Sequence, residues 1–151
     1  MDNRQTFEEI LNNHGVLVYT NVGYSMMPLL RQRKDIIEIR KRTQERLKRN
    51  DVILYKRDGR YILHRIIKVL PGKYKVLGDH NTWFDKNVTD DMILGVMTRV
   101  IRDGKSITPD NFWYKLYVYL WCDIYPLRFF TMKTKAFILR CLRYVKRRVF
   151  G

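Results

Sequence analysis

A chain of 151 residues with 46% hydrophobic and 13% aromatic residues is large enough for one domain with a sizeable core, and its composition excludes an intrinsically disordered protein. Its 30 lysines and arginines outnumber 15 aspartates and glutamates, which gives a formal net charge of +15. A charge of that sign favours an anionic partner, either nucleic acid or an acidic membrane surface, and carries no information about the fold.

The first element predicted along the chain is a short amphipathic helix over residues 6–13. Thr6 is a candidate N-cap, and Phe7, Ile10 and Leu11 follow it at helical spacing. The same opening residues lack the basic and apolar regions of a secretory signal, so we expect no cleaved signal peptide. The sequence has no uninterrupted run of about 18 apolar residues, and we therefore expect no clear transmembrane helix.

Six short β-rich runs come next, separated by tight turns and charged segments. They cover residues 15–23, 35–41, 51–57, 60–70, 73–79 and 92–101. No helical pattern falls between them, so we predict a mainly β fold, either a coiled antiparallel sheet or a small barrel. The strongly charged segment 40–50 joins the second run to the third, and we interpret it as a solvated loop.

The composition changes after Pro109, and we predict a β domain at residues 1–108 followed by a helical tail at residues 109–151. An aromatic-rich segment, 112–125, precedes a basic amphipathic helical pattern over residues 138–149. This tail either lies in the interface of an acidic membrane or folds as a helical hairpin onto the sheet.

The two cysteines, Cys122 and Cys141, are too few for a disulfide framework and lack the spacing of metal ligands. We interpret both as buried or interfacial thiols. We expect neither a metal nor another cofactor.

Ser25 lies in a segment whose neighbours restrict the backbone in opposite ways. Gly23 permits conformations that are closed to other residues, whereas Pro28 fixes its own φ at about −65°. Such a segment either holds the serine at a sharp, exposed turn or is an ordinary turn.

A serine nucleophile needs a base, and often an acid that orients the base. His64 lies in the middle of a β-rich run and shares a face with Ile62 and Ile66 by the two-residue alternation, a setting in which most histidines are structural. Asp79 and Asp85 lie in a turn-rich run directly after a strand, where carboxylates are common. Taken separately, none of these residues indicates catalysis.

Taken together and in order, four blocks of this sequence resemble the S24/S26 peptidase superfamily, which joins type I signal peptidases to the self-cleaving LexA-type repressors. The blocks are residues 23–28, 49–69, 77–85 and 93–101. The resemblance spans about residues 16–101 and leaves the C-terminal segment unmatched. It implies the coiled antiparallel β fold of the signal peptidase type.

The resemblance also implies roles for the candidate residues. Ser25 matches the family's nucleophile, and His64 is the general base at a position where most bacterial members have lysine. Asp79 and Asp85 match the two acids of the histidine-type signal peptidases, although His80 replaces the usual asparagine after the first. Which of the two acids orients His64 stays open at this point.

The oxyanion site and the substrate groove are less defined by the resemblance. The backbone N–H of Ser25 is one oxyanion donor, and the backbone around Gly23 and Met26 supports it. In lysine-type enzymes the second donor is often a serine at the position of Gly23, so that donor stays open. We expect Met26, Met27 and Pro28 to help line the groove for substrate.

These observations predict a serine endopeptidase that cleaves an extended precursor peptide after small residues. The alternative is a non-catalytic basic β-barrel that binds nucleic acid or acidic membrane. Since no nucleic-acid motif is present, we do not expect nucleic acid to be the partner. We expect a peripheral membrane location on the cytoplasmic face, with the basic tail on acidic lipid.

Overall fold

The computed structural model describes residues 5–43 and 46–124, together with Phe130, Thr134 and Arg140. It confirms the mainly β fold. The strands are β1 (Val16–Thr20), β2 (Ile36–Lys41), β3 (Val52–Arg57), β4 (Arg60–Leu70), β5 (Lys73–Leu77), β6 (Asp85–Val88), β7 (Ile93–Arg102) and β8 (Lys105–Ile107). A 3₁₀ turn, Asp90–Met92, leads into β7. The short strands β6 and β8 lie outside the six predicted runs.

Helix α1, Phe7–His14, forms where the sequence predicted a helix. The Thr6 hydroxyl accepts a hydrogen bond from the Glu9 N–H at 3.2 Å, and the Glu9 carboxylate accepts one from the Thr6 N–H at 2.7 Å. This reciprocal capping satisfies N–H groups that have no partner within the helix. Gly15 ends the helix in the left-handed conformation, with φ at 71°.

All strand pairs in the sheet are antiparallel, and the order is β1-β2-β7-β3-β4-β5-β6, with β8 paired to β7. Among the described strands, β1 and β6 end this path and do not pair with each other. Of the two architectures predicted, the structure therefore has an open antiparallel sheet and not a closed barrel.

One face of β3, β4 and β5 builds a hydrophobic core. Its buried members are Leu47, Ile53, Tyr55, Ile66, Tyr74, Val76, Val88 and Ile93. Leu47 is the surprise, because it comes from the charged segment interpreted as a solvated loop. That interpretation is wrong at this position: the leucine is 7% exposed, since an apolar side chain gains free energy by leaving water even when its neighbours are charged.

Two strand edges frame the region that contains Ser25. Strand β1 pairs with β2 on one side only. The first half of β4, residues 60–64, pairs with β3, whereas β5 pairs only with its second half, from Arg65 to Leu70. Within the described part of the chain, no strand pairs with the outer edge of β1 or of residues 60–64.

The chain divides into two compact units, Met1–Tyr114 and Lys115–Gly151. Helix α2, Phe112–Tyr117, crosses this division and continues as a π-helical segment, Val118–Asp123. Cys122 is a buried free thiol, which confirms its interpretation. Cys141 and the predicted amphipathic helix over residues 138–149 lie outside the described residues.

None of the helices described is both long and apolar enough to cross a membrane.

Candidate active site

The loop after β1 carries Ser25 and is fixed from both sides. The Asn21 side chain donates a hydrogen bond to the Gly23 carbonyl at 2.8 Å and accepts one from the Gly23 N–H at 3.4 Å. Beyond the serine, Leu29 and Leu30 are buried and anchor the loop to the core. Ser25 itself stays partly accessible to solvent.

Met26 is a core residue. Its side chain is 0% exposed, whereas Met27 is half-buried and Pro28 is exposed. None of the three lines the groove that contains Ser25. Met26 packs in the core, so its side chain does not line this groove, whereas the substrate contacts expected of Met27 and Pro28 stay a prediction.

A turn formed by residues 78–81 packs directly against Ser25. The His80 N–H donates to the Ser25 carbonyl at 2.8 Å, and the Asn81 N–H donates to the Gly78 carbonyl at 2.9 Å. A Cβ on Gly78 would lie 2.6 Å from the Ser25 carbonyl oxygen and 2.9 Å from the Ser25 Cβ. Only glycine therefore fits at position 78 while the serine keeps this place.

His64 borders the same turn from strand β4. Its Nε2 lies 3.4 Å from the Asn81 Nδ2. A Cβ added at Gly78 would lie 2.9 Å from the same Asn81 nitrogen. The structure thus brings Ser25 and His64 to opposite sides of one turn. The hydrogen bonds of the described residues do not include a direct bond between Ser25 Oγ and His64.

His64 is a neutral imidazole at pH 7. Burial lowers the pKa of His64 to about 4, against the opposing effect of the Asp85 and Asp79 charges. Its other ring nitrogen, Nδ1, lies 3.2 Å from the Tyr55 hydroxyl. An unprotonated ring nitrogen is available to accept a proton over the whole neutral range.

Asp85, the first residue of β6, faces the same tyrosine. The Tyr55 hydroxyl donates to Asp85 Oδ2 at 3.1 Å, and the Arg57 guanidinium binds Oδ1. Burial raises the pKa of Asp85, but hydrogen bonds from Arg57, the Asn87 N–H and Tyr55 outweigh it and keep the net pKa below its ordinary value. The carboxylate is therefore ionised and reaches His64 through a tyrosine.

Asp79 has a different partner. Its two oxygens accept hydrogen bonds from Arg65 Nε at 2.9 Å and Nη2 at 2.7 Å, and both side chains are buried, at 0% exposed for Arg65 and 1% for Asp79. Arg65 Nη1 also donates to the Asn50 carbonyl and to the Tyr114 hydroxyl, whose ring lies beneath the guanidinium. Asp79 thus neutralises a buried arginine, and its charge also opposes the lowering of the His64 pKa.

The backbone near Ser25 offers oxyanion donors. Within the described residues, neither the Ser25 N–H nor the Met26 N–H donates to another backbone group, whereas the Met27 N–H is bonded to the Tyr24 carbonyl. Gly23 contributes no side-chain donor, and a Cβ there would lie 4.0 Å from Ser25 Oγ.

An open groove of about 590 Å³ lies between the two unpaired strand edges and contains Ser25. Its lining residues are Phe7, Tyr19, Thr20, Asn21, Val22, Gly23, Ser25, Tyr61, Ile62 and Leu63. The Phe7 ring contacts Tyr19 and Tyr61 at centroid distances of 4.9 and 4.7 Å, so helix α1 supplies an aromatic wall.

Sequence reasoning missed the residues that connect the candidate residues, because it assigned no role to Tyr55, Arg65 or Asn81. The cross-strand register carries the signal for Tyr55, because it faces Ile62, two residues from His64 on the same side of the sheet.

The described residues contain no group of histidine, cysteine, aspartate or glutamate side chains placed to hold a metal ion. In comparisons with known proteins, no family model matches the chain, and no curated protein matches it significantly.

Proposed function

We propose that this chain is a serine endopeptidase of the signal peptidase type, with Ser25 as nucleophile and His64 as general base. It cleaves an extended precursor peptide after small residues through an acyl-enzyme. One observation carries the proposal: the groove between two unpaired strand edges contains Ser25, and the strand that forms one of these edges also carries His64.

The groove suits a peptide in extended conformation. Consecutive residues Tyr61, Ile62 and Leu63 line it on one side, so the backbone edge of β4 faces the groove, and the end of β1 faces it from the other side. A peptide strand placed between two such edges gains main-chain hydrogen bonds on both sides, while alternate side chains enter pockets that set specificity. The preference for small residues at the cut comes from the family resemblance.

The chemistry follows from the protonation states. When Ser25 Oγ attacks the scissile carbonyl, its proton passes to His64 Nε2, and the backbone N–H groups of Ser25 and Met26 stabilise the oxyanion. The imidazolium then gives its proton to the leaving amine, and water hydrolyses the acyl-serine by the same route. Asn81 lies beside Nε2, so Ser25 Oγ reaches this nitrogen in conformations in which the Asn81 side chain moves aside.

The proposal includes attachment to the cytoplasmic face of an acidic membrane. The net charge of +15 and the basic pattern at residues 138–149 support it. Two exposed aromatic side chains also support it: Tyr24, which precedes Ser25, is 62% exposed, and Trp83, which follows the 78–81 turn, is 73% exposed. Rings of this kind bind at the headgroup level of a membrane.

The test is digestion of a library of precursor-like peptides, with and without acidic liposomes, with new termini identified by mass spectrometry. We expect cuts after small residues by the wild type and by Ser106→Ala, which removes an exposed serine of β8. We expect none by Ser25→Ala. Equal cleavage by Ser25→Ala would overturn the proposal. Absence of cleavage together with salt-sensitive binding of single-stranded DNA would favour the alternative, a basic binding protein.

A further inference from the structure

The Tyr55 hydroxyl lies between His64 and Asp85. Its oxygen is 3.2 Å from His64 Nδ1 and 3.1 Å from Asp85 Oδ2, and Arg57 holds the other carboxylate oxygen. Tyr55 belongs to β3, and its side chain is fully buried in the hydrophobic core. The order of groups is therefore guanidinium, carboxylate, phenol and imidazole.

The proton on each group of this chain follows from the neighbours. Asp85 is ionised, because hydrogen bonds from Arg57, Asn87 and Tyr55 outweigh the effect of burial and leave its pKa below the ordinary value. Burial first, and then the Asp85 charge, raise the pKa of Tyr55, so the phenol keeps its proton. An ionised carboxylate accepts hydrogen bonds only, and hence the Tyr55 proton points to Asp85.

The phenol oxygen then has only lone pairs to offer to His64. A ring nitrogen without a proton would place two acceptors 3.2 Å apart, whereas a protonated Nδ1 completes a hydrogen bond. The opposite nitrogen, Nε2, lies near the Asn81 amide nitrogen, which is a donor and suits an unprotonated partner.

We propose that Tyr55 is a positioning residue that fixes His64 in the tautomer with the proton on Nδ1 and the basic lone pair on Nε2, the side that borders the turn against Ser25. The tyrosine does for this histidine what a direct carboxylate does in other serine hydrolases. Its consequence for catalysis rests on the proposed peptidase function, whereas the tautomer itself does not.

Strand geometry explains why a tyrosine performs this role. Ile53 faces His64 and Tyr55 faces Ile62 across β3 and β4, so Tyr55 and His64 are diagonal neighbours on one side of the sheet. A carboxylate on this spot would bring a charge into the core beside Ile53 and Ile66. The phenol keeps the charge at Asp85, beside Arg57, and transmits its orienting effect through one neutral hydroxyl.

The test is ¹⁵N NMR of the histidine side chains in the full chain at about pH 7, where we expect a neutral imidazole. The protein has His14, His64 and His80, and a His64→Gln spectrum identifies the His64 signals. We expect the wild type to show a protonated Nδ1 and an unprotonated Nε2. In Tyr55→Phe we expect the protonated fraction of Nδ1 to fall, because its acceptor is gone.

Tyr74→Phe is the matched control. Tyr74 is buried in the same core and donates to a carboxylate, Asp90, at 2.8 Å, so its loss removes an equivalent bond without touching His64. We expect the His64 tautomer to be unchanged in this variant. A wild-type His64 protonated on Nε2 would overturn the inference, as would a Tyr55→Phe spectrum identical to the wild type.

The kinetic test separates this inference from the proposed function. With a cleaved peptide, we expect Tyr55→Phe to lower kcat at least about tenfold with little change in KM, because only the orientation of the base is lost. A tautomer shift without any peptidase activity would leave the role of Tyr55 intact and refute the enzyme. Serine-dependent cleavage with an unchanged tautomer and kcat would refute the role of Tyr55 and leave the enzyme.

Discussion

Adjacent residues of β4, His64 and Arg65, project to opposite faces of the sheet and have different carboxylate partners. Arg65 and Asp79 form a direct, fully buried ion pair. His64 is uncharged and is connected to Asp85 through a tyrosine. Because a buried charge needs its partner in direct contact, the first arrangement suits stability, whereas a neutral histidine within reach of a carboxylate suits proton transfer.

Two acids that were equivalent in the sequence thus separate in the structure. Asp79 pairs with Arg65, and in our proposal Asp85 orients the histidine through Tyr55. We therefore expect substitution of His64 to change activity, and substitution of Asp79, the partner of Arg65, to change stability.

The largest expected effect is on activity. His64→Gln should lower kcat/KM on a cleaved peptide by about 10⁴-fold, because the serine loses its base, while the unfolding free energy changes little. His14→Gln, at the exposed end of α1, is the matched control and should retain full activity. Cleavage by His64→Gln within tenfold of the wild type would contradict the assignment of the base.

The next effect is on stability. Asp79→Ala should lower the free energy of unfolding by about 3–5 kcal/mol, because it leaves the Arg65 charge buried without its carboxylate. Asp85→Ala should cost less, since its partner Arg57 is partly exposed and can turn to water. Urea denaturation of both variants measures the difference. An equal or larger loss in Asp85→Ala would reverse the comparison.

The pH dependence of stability should report the half-buried His64. The pKa of His64 is about 4 when folded, against about 6.5 for an unperturbed histidine, so between these values the unfolded chain binds the extra proton. Stability should therefore fall as the pH is lowered through this window, by about 3 kcal/mol in total relative to His64→Gln. Parallel pH profiles of the two proteins would show that folding does not lower the pKa of His64.

A smaller effect concerns the 78–81 turn, which lies between Ser25 and His64. Gly78→Ala should displace Ser25 and lower kcat per folded molecule. Gly95→Ala is its control, because a Cβ there would also be too close to neighbours, 2.5 Å from the Arg40 carbonyl oxygen, but far along the sheet from the serine. Both should cost about 1–3 kcal/mol of stability through overpacking. Equal kcat in the two variants would mean that Gly78 does not position the nucleophile.

The sequence predicted much of the fold because short-range patterns determine it. Strand periodicity located the six main strands, and the Thr6 N-cap located the helix. Strand β6 was not predicted, because Asp85–Val88 contains one apolar residue and takes its structure from pairing with β5. Closure of a barrel depends on which edges meet, a property that alternation along single strands does not encode.

The candidate residues came from the sequence, whereas their contacts required the structure. Ser25, His64, Asp79 and Asp85 came from the order of four blocks, but the partner of each acid depends on side-chain reach across the sheet. To predict that Tyr55 lies beside His64, one must know the register of β3 and β4. To predict that Asn81 lies there, one must know that the 78–81 turn packs on Ser25. Met26 could not be placed from the sequence, because an apolar residue beside Ser25 fits a groove and a core equally well until the direction of its side chain is known.

The central claim is that His64 acts on residue 25, and it can be tested without any substrate. Ser25→Cys introduces a thiol whose alkylation rate reports its thiolate content, with peptide mapping to distinguish it from the native cysteines. At about pH 6 we predict alkylation at position 25 to be at least about tenfold faster in Ser25→Cys than in Ser25→Cys combined with His64→Gln. Equal rates in the two proteins would contradict a nucleophile–base pair.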